Sequence, residues 1–265
     1  MRETSKLGLG GHSFIERLGN DPPASPDAQA AIVAAGLDNG IRLIDTTYYQ
    51  ERLALGRILH RLGRRDEARI MAWNFFRQPR REEELVRPTP YEPAHLAMML
   101  AELRTDRIDV LVVHAHDDSA RLAGELALAR RWRDEGKVGQ VALGMVHLAH
   151  LQRLPDGHPV TWVLAPYNAF NRAAAHTFAR ARELGLGTIA LSPFLRGWKL
   201  DEIGEDKALV APLLLRWVAS QPLVDRVIVA MRRRDWIDAN LQAIARGPLA
   251  PDEHARLEEW VRRVQ

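Results

Sequence analysis

An aspartate at the end of one apolar run, two tyrosines just beyond it and a histidine closing a second run are residue types with which proteins move protons. The first run is Arg42-Leu43-Ile44-Asp45, with Tyr48 and Tyr49 following; the second is Val110-Leu111-Val112-Val113-His114, with His116 and Asp117 next. A carboxylate such as Asp45 either orients and tunes a partner or caps the following turn through backbone amides. A phenol serves as a proton donor when a nearby positive charge or hydrogen bond tunes it, so one tyrosine is read as an acid and the other as a pocket wall. His114 reads as an acid–base or orienting group. Together with His116 and Asp45 it offers nitrogen and oxygen donors of the kind that hold metals. Its His-x-His spacing falls on an irregular stretch with no third ligand at a fixed interval, so no metal is expected.

The elements that must position these side chains alternate along the chain. Strands are expected at Leu7–Gly10, Arg42–Asp45, Arg69–Trp73, Ile108–Val113, Val138–Leu143, Thr161–Leu164, Gly187–Leu191 and Arg226–Ala230. Helical patterns separate them, beginning with Ala28–Leu37, for which Ser25 is the expected cap and Pro26 the first turn. Short, continuous apolar strands alternating with helices predict an α/β fold of the (β/α)8 TIM barrel type, because both faces of a parallel strand are covered. The whole chain, 1–265, reads as one domain ending in a helix at about 251–264. In such a barrel the chemistry sits at the C-terminal strand ends. That places Asp45, Tyr48, Tyr49, Trp73, Asn74, His114, His116, His147, Tyr167, Asn168, Ser192 and Arg232 at the mouth. The charged, proline-rich Arg77–Glu92 stretch is expected to hang over it as a lid.

Composition narrows the classes. Hydrophobic residues at 46% and charged residues at 27% describe a foldable chain rather than a disordered one. The absence of cysteine excludes disulfides, a thiol nucleophile and thiolate metal sites. No long uninterrupted apolar run or signal-like start is visible, so a cytoplasmic location and no membrane partner are expected. The net charge of +3 is small, and the arginine runs are interleaved with acids, so they read as solvated exterior and not as a nucleic-acid surface. The expected partner is a small molecule. Oligomeric state is not legible.

At Gly40-Ile41-Arg42-Leu43-Ile44-Asp45-Thr46-Thr47-Tyr48-Tyr49 the chain resembles the aldo-keto reductase family. The resemblance continues through Leu55-Gly56, Arg107 to His114, Gly136-Lys137-Val138, Ala165-Pro166-Tyr167-Asn168, Ala190-Leu191-Ser192-Pro193-Phe194 and Asn240-Leu241-Gln242-Ala243. It implies a barrel that binds NADP(H), less often NAD(H), across its mouth and reduces aldehydes or ketones. Asp45 and His114 match the family's aspartate and histidine. Tyr49 is the preferred match to its tyrosine, with Tyr48 as the alternative. On the cofactor side the resemblance carries over Gly11, Ser192 for the pyrophosphate, Asn240 for the adenine, and Arg232, Arg233 and Arg234 for a 2'-phosphate. Phe14, Trp73, Asn74, His116, His147 and Trp198 are expected to line the substrate pocket.

Several family features are missing. The lysine that tunes the tyrosine has no counterpart, since the matching place reads Ala72-Trp73-Asn74-Phe75 and the four lysines lie elsewhere. The residues that hold the nicotinamide amide correspond to Val146, His147 and Leu164, and the stacking aromatic to Leu191. The expected function is therefore NADP(H)-dependent carbonyl reduction with altered tuning. The alternatives are nicotinamide-independent acid–base chemistry as a lyase, isomerase or cyclase, and non-catalytic binding.

Overall fold

The apolar runs pair in parallel and close on themselves. In the computed structural model, which describes residues 5–15, 24–78, 86–195 and 198–264, they form β1 (Leu7–Leu9), β2 (Leu43–Tyr48), β3 (Arg69–Phe75), β4 (Ile108–His114), β5 (Val138–Gly144), β6 (Val160–Pro166), β7 (Gly187–Leu191) and β8 (Arg226–Val229). Each strand neighbours the next, and β8 returns to β1, closing a (β/α)8 barrel. The connecting helices are α1 (Pro26–Asp38), α2 (Tyr49–Leu62), α3 (Pro93–Leu103), α4 (Ser119–Asp134), α5 (Leu148–Gln152) and α6 (Ala175–Glu183). After them come α7 (Trp198–Ile203), α8 (Lys207–Ala219), α9 (Arg234–Ala245) and α10 (Pro251–Val264). Among the described residues no helix is long and apolar enough to cross a membrane.

Alternation along the strands divides the core in two. Met71, Trp73, Val110, Val112, Ala142, Leu164, Ile189 and Ile228 fill the barrel interior, while Ile70, Ala72, Leu111, Val113, Leu143 and Val163 face the helices. Each large apolar side chain so buried contributes about 1.5–3 kcal/mol. Ser25 caps α1 through Oγ, which accepts from the Ala28 amide at 3.2 Å. Gly56 lets α2 approach α3, because a Cβ there would lie 2.4 Å from the Glu102 carbonyl oxygen.

Five strands, β2 to β6, run further toward the mouth than the apolar runs alone suggest, β2 the furthest. β2 continues past Asp45 because Tyr48 still pairs with Phe75 beyond an irregularity between Thr46 and Tyr48. Tyr48 is consequently the last strand residue and Tyr49 the first helical one. The short helix α7 was not anticipated, since its six residues show no repeat of a helical period. Of the expected Arg77–Glu92 lid, residues 79–85 lie outside the described part; its far side is tied back by the Thr89 amide, which donates to the Asn74 carbonyl at 2.9 Å.

Candidate active site

Asp45 is almost fully buried in β2, at 6% exposure. Its Oδ1 accepts a hydrogen bond from the Trp73 indole Nε1 at 2.7 Å, and Oδ2 accepts from Thr47 Oγ1 at 3.3 Å. Burial, and then the neighbouring Glu51, push the carboxyl up to about 7, against the opposing effect of these donors and His12. The neutral Trp73 indole thus satisfies Asp45 without supplying a charge.

Trp73 needs room. Its ring crosses the barrel toward β5, where a Cβ on Gly144 would lie 2.2 Å from the ring and 2.8 Å from Val112. Gly144→Ala is therefore expected to cost about 1–3 kcal/mol through overpacking. The check is a urea midpoint, together with the Gly144→Ala/Trp73→Leu pair: a double variant no better than the sum of the singles would refute this contact as the cause.

The mouth is walled by aromatic rings in contact. Tyr48 meets Phe75 edge-on at 5.2 Å, Phe75 meets His114 at 6.0 Å, and Trp73 lies 6.3 Å from His114. Tyr49 is buried at the start of α2. His114 is partly buried, and its Nδ1 lies 2.8 Å from the Ala115 carbonyl oxygen. A carbonyl only accepts, so Nδ1 carries the hydrogen and a neutral ring offers Nε2 as an acceptor. Desolvation holds His114 below the usual imidazole value.

The other residues singled out by sequence are spread around this group. Asn74 is buried; its Nδ2 donates to the Thr89 carbonyl at 2.7 Å, and its Oδ1 has no partner among the described residues. His116 turns toward α4, where Nε2 meets buried Glu125 at 3.0 Å. His147 is exposed and caps α5, its amide donating to His150 Nδ1 at 3.0 Å. The side chains of Phe14 and Trp198 lie outside the described part. Among the described residues no three histidines, aspartates or glutamates gather as a metal site.

On the opposite rim Ser192 has a left-handed backbone, φ 56, and its carbonyl accepts from Asn168 Nδ2 at 2.9 Å. Met145 and Leu195 are also left-handed, at φ 55 and 47, so backbone strain gathers in loops after β5 and β7. Tyr167 packs outward, 5.5 Å from both Phe178 and Trp217. Val146 and Leu164 are buried. At the end of β8, Arg232 is buried, Arg233 pairs with Asp235 at 2.9 Å, and Arg234 opens α9 in an exposed position. Asn240 lies half-buried on the same helix.

Three residues that sequence reasoning passed over shape the site. Glu51, on the first turn of α2, is fully buried and accepts from the Thr47 and Tyr48 amides at 2.6 and 3.2 Å. His12, just after β1, places Nδ1 2.7 Å from Glu51 Oε1. Arg52, also fully buried, donates to the Trp73 and Phe75 carbonyls. Gly11 clears space for this carboxylate, since a Cβ would fall 2.2 Å from Glu51 Oε2. The signal for this pocket in the sequence was a small-residue turn directly after a strand, at the Gly11 that the resemblance assigns to the cofactor side.

The fold is shared with several solved structures. An aldo-keto reductase from Bacillus halodurans, in its holo form, superposes with a TM-score of 0.77 at 18% identity, covering 98% of this chain and 92% of that one. A glycerol dehydrogenase from Gluconobacter oxydans gives 0.78 at 17% identity, with 98% and 92% covered. An aldo/keto reductase from Klebsiella pneumoniae in complex with NADP and acetate gives 0.75 at 20% identity, with 97% and 91% covered. The model of the Aldo/keto reductase family matches residues 6–210, and with that match the chain belongs to this family of oxidoreductases.

Proposed function

We propose that the protein is an NADP(H)-dependent oxidoreductase that reduces a small aldehyde or ketone. The observation that carries this reading is the basic set at the end of β8, where Arg232, Arg233 and Arg234 precede and open α9. A helix N-terminus with guanidinium groups suits a phosphate, through backbone donors and charge-assisted hydrogen bonds. Asn240, on the same helix, suits the adenine end. The Klebsiella relative carries NADP. The residues present thus fit the phosphate and adenine end of the dinucleotide, while Val146 and Leu164, matched by the resemblance to the carboxamide end, are apolar and buried. A bound nicotinamide supplies or takes a hydride; everything else falls to the chain. Tyr48 offers a hydroxyl beside the ring cluster, and His114 offers Nε2 to a substrate hydroxyl on the alcohol side of the couple.

Titration with NADPH, followed by its fluorescence, tests this reading. Saturable, near-stoichiometric binding is expected, weakened about tenfold by Arg234→Ala, as befits one lost charge-assisted contact. No binding at hundreds of micromolar would sink the proposal.

The Asp45–Trp73 contact favours a second reading, acid–base chemistry without nicotinamide, because it leaves a buried acid near neutrality and no ammonium. That reading requires turnover in the absence of any dinucleotide.

A further inference from the structure

We propose that His12, held by the buried carboxylate of Glu51, is the group that exchanges a proton with the reacting oxygen at the barrel mouth. This rests on the carbonyl-reductase reading and assigns the proton step within it.

The geometry fixes which nitrogen does the work. Nδ1 of His12 lies 2.7 Å from Glu51 Oε1, and the other Glu51 oxygen accepts from two backbone amides. The nitrogen that faces an acceptor carries the hydrogen, in the neutral ring as in the cation. Every proton gained or lost therefore passes through Nε2. The one hydrogen bond of the ring among the described residues is made by Nδ1, and the side chain is 25% exposed.

The dyad is held rigidly. Ser13, buried beside it, donates through Oγ to the Gly10 carbonyl at 2.7 Å and accepts from the Met231 amide at 2.9 Å, pinning the His12 turn to the end of β8. Gly11 leaves room for the Glu51 carboxylate. The His12 ring stacks on Tyr48 at 6.0 Å and 23°, which joins it through Phe75 to the ring cluster that holds His114. Among the described residues, the titratable groups that face it are Glu51 on α2, and Asp45 and Tyr48 on β2.

The chemistry needs such a group. With Trp73 where the resemblance puts the family's lysine, no ammonium tunes the phenol as an acid, whereas an imidazole held by a carboxylate at one nitrogen can carry and release a proton at the other. With hydride delivered to the substrate carbon by a reduced nicotinamide, the carbonyl oxygen takes the Nε2 proton of the imidazolium. One N–H bond breaks, one O–H bond forms, and the neutral ring is reprotonated from water through its exposed edge. Alcohol oxidation runs the same transfer backwards.

The test has two arms on the full chain. Long-range proton–nitrogen NMR of the ligand-free protein, followed with rising pH until the His12 ring shows a single hydrogen, is expected to show that hydrogen at Nδ1; His12→Asn identifies the signal among the ten histidines. In Glu51→Gln the amide oxygen stays with the Thr47 and Tyr48 amides while its NH2 turns to Nδ1, so the hydrogen is expected to move to Nε2. A wild-type ring bearing its hydrogen at Nε2 overturns the proposal. In the second arm, NADPH-dependent reduction of 4-nitrobenzaldehyde is expected to fall about 10²–10⁴-fold in kcat for His12→Asn, the range for losing a general acid, with NADPH affinity unchanged. Unchanged kcat in a variant that still binds NADPH defeats the role of His12 alone; failure of the wild type to bind NADPH defeats the reductase reading.

Discussion

Asp45→Asn is expected to be more stable than the natural protein above neutral pH and nearly equal to it in acid. The Asp45 carboxyl is raised to about 7 in the fold from an ordinary value of 3.8, by burial first and by Glu51 second. A carboxyl raised on folding stabilises the native state fully below its unfolded pKa, and that contribution is lost as pH climbs through the folded value. Between about pH 4 and 7 the unfolded chain has released this proton while the native chain still holds it, so stability declines across that window. The difference between 7 and 3.8, at 1.36 kcal/mol per unit, sets an upper bound of about 4 kcal/mol on the loss. Asparagine keeps an oxygen to accept the Trp73 indole and has nothing to ionise. Urea unfolding at pH 5 and 8 measures the effect: the gap between variant and wild type should widen at the higher pH. A gap independent of pH would show that Asp45 is ionised throughout.

The barrel was legible because its determinants are local. Continuous apolar runs such as Val110 to Val113 demand cover on both faces, and the serine cap and the proline in its first turn set the start of α1. The site was legible only where strand ends announce themselves, at Asp45 and His114. Which tyrosine joins the rings depended on how far β2 runs, and that is settled across the barrel by pairing of Tyr48 with Phe75. The partner of Asp45 was equally out of reach, since Trp73 pairs with it across two strands and depends on a glycine in a third. Glu51 and Arg52 read as ordinary polar residues of a helix, where a charged side chain is usually solvated. Both are fully buried, for reasons that lie on β2, β3 and α3.

Arg52→Met is expected to be the most destabilising of these substitutions, at about 3–5 kcal/mol, the range for breaking a buried ion pair from one side. The guanidinium donates from Nε to Glu102 at 2.5 Å, from Nη1 to the Trp73 carbonyl at 2.9 Å and from Nη2 to the Phe75 carbonyl at 3.1 Å. It also lies 5.2 Å over the Phe76 ring. One side chain therefore fastens α2 to α3 and holds the end of β3, the segment carrying both the indole on Asp45 and the ring between Tyr48 and His114. Methionine matches the length but leaves a carboxylate and two carbonyls without their donor. Lysine retains the charge and cannot fork to all three, so Arg52→Lys should recover only part of the loss. The urea midpoint should fall with an unchanged slope. Adding Glu102→Leu should restore the share due to the ion pair, and what stays lost reports the two carbonyls at the end of β3. Full recovery in that double variant would mean that Arg52 secures the helices alone, and that the end of β3 stands without it.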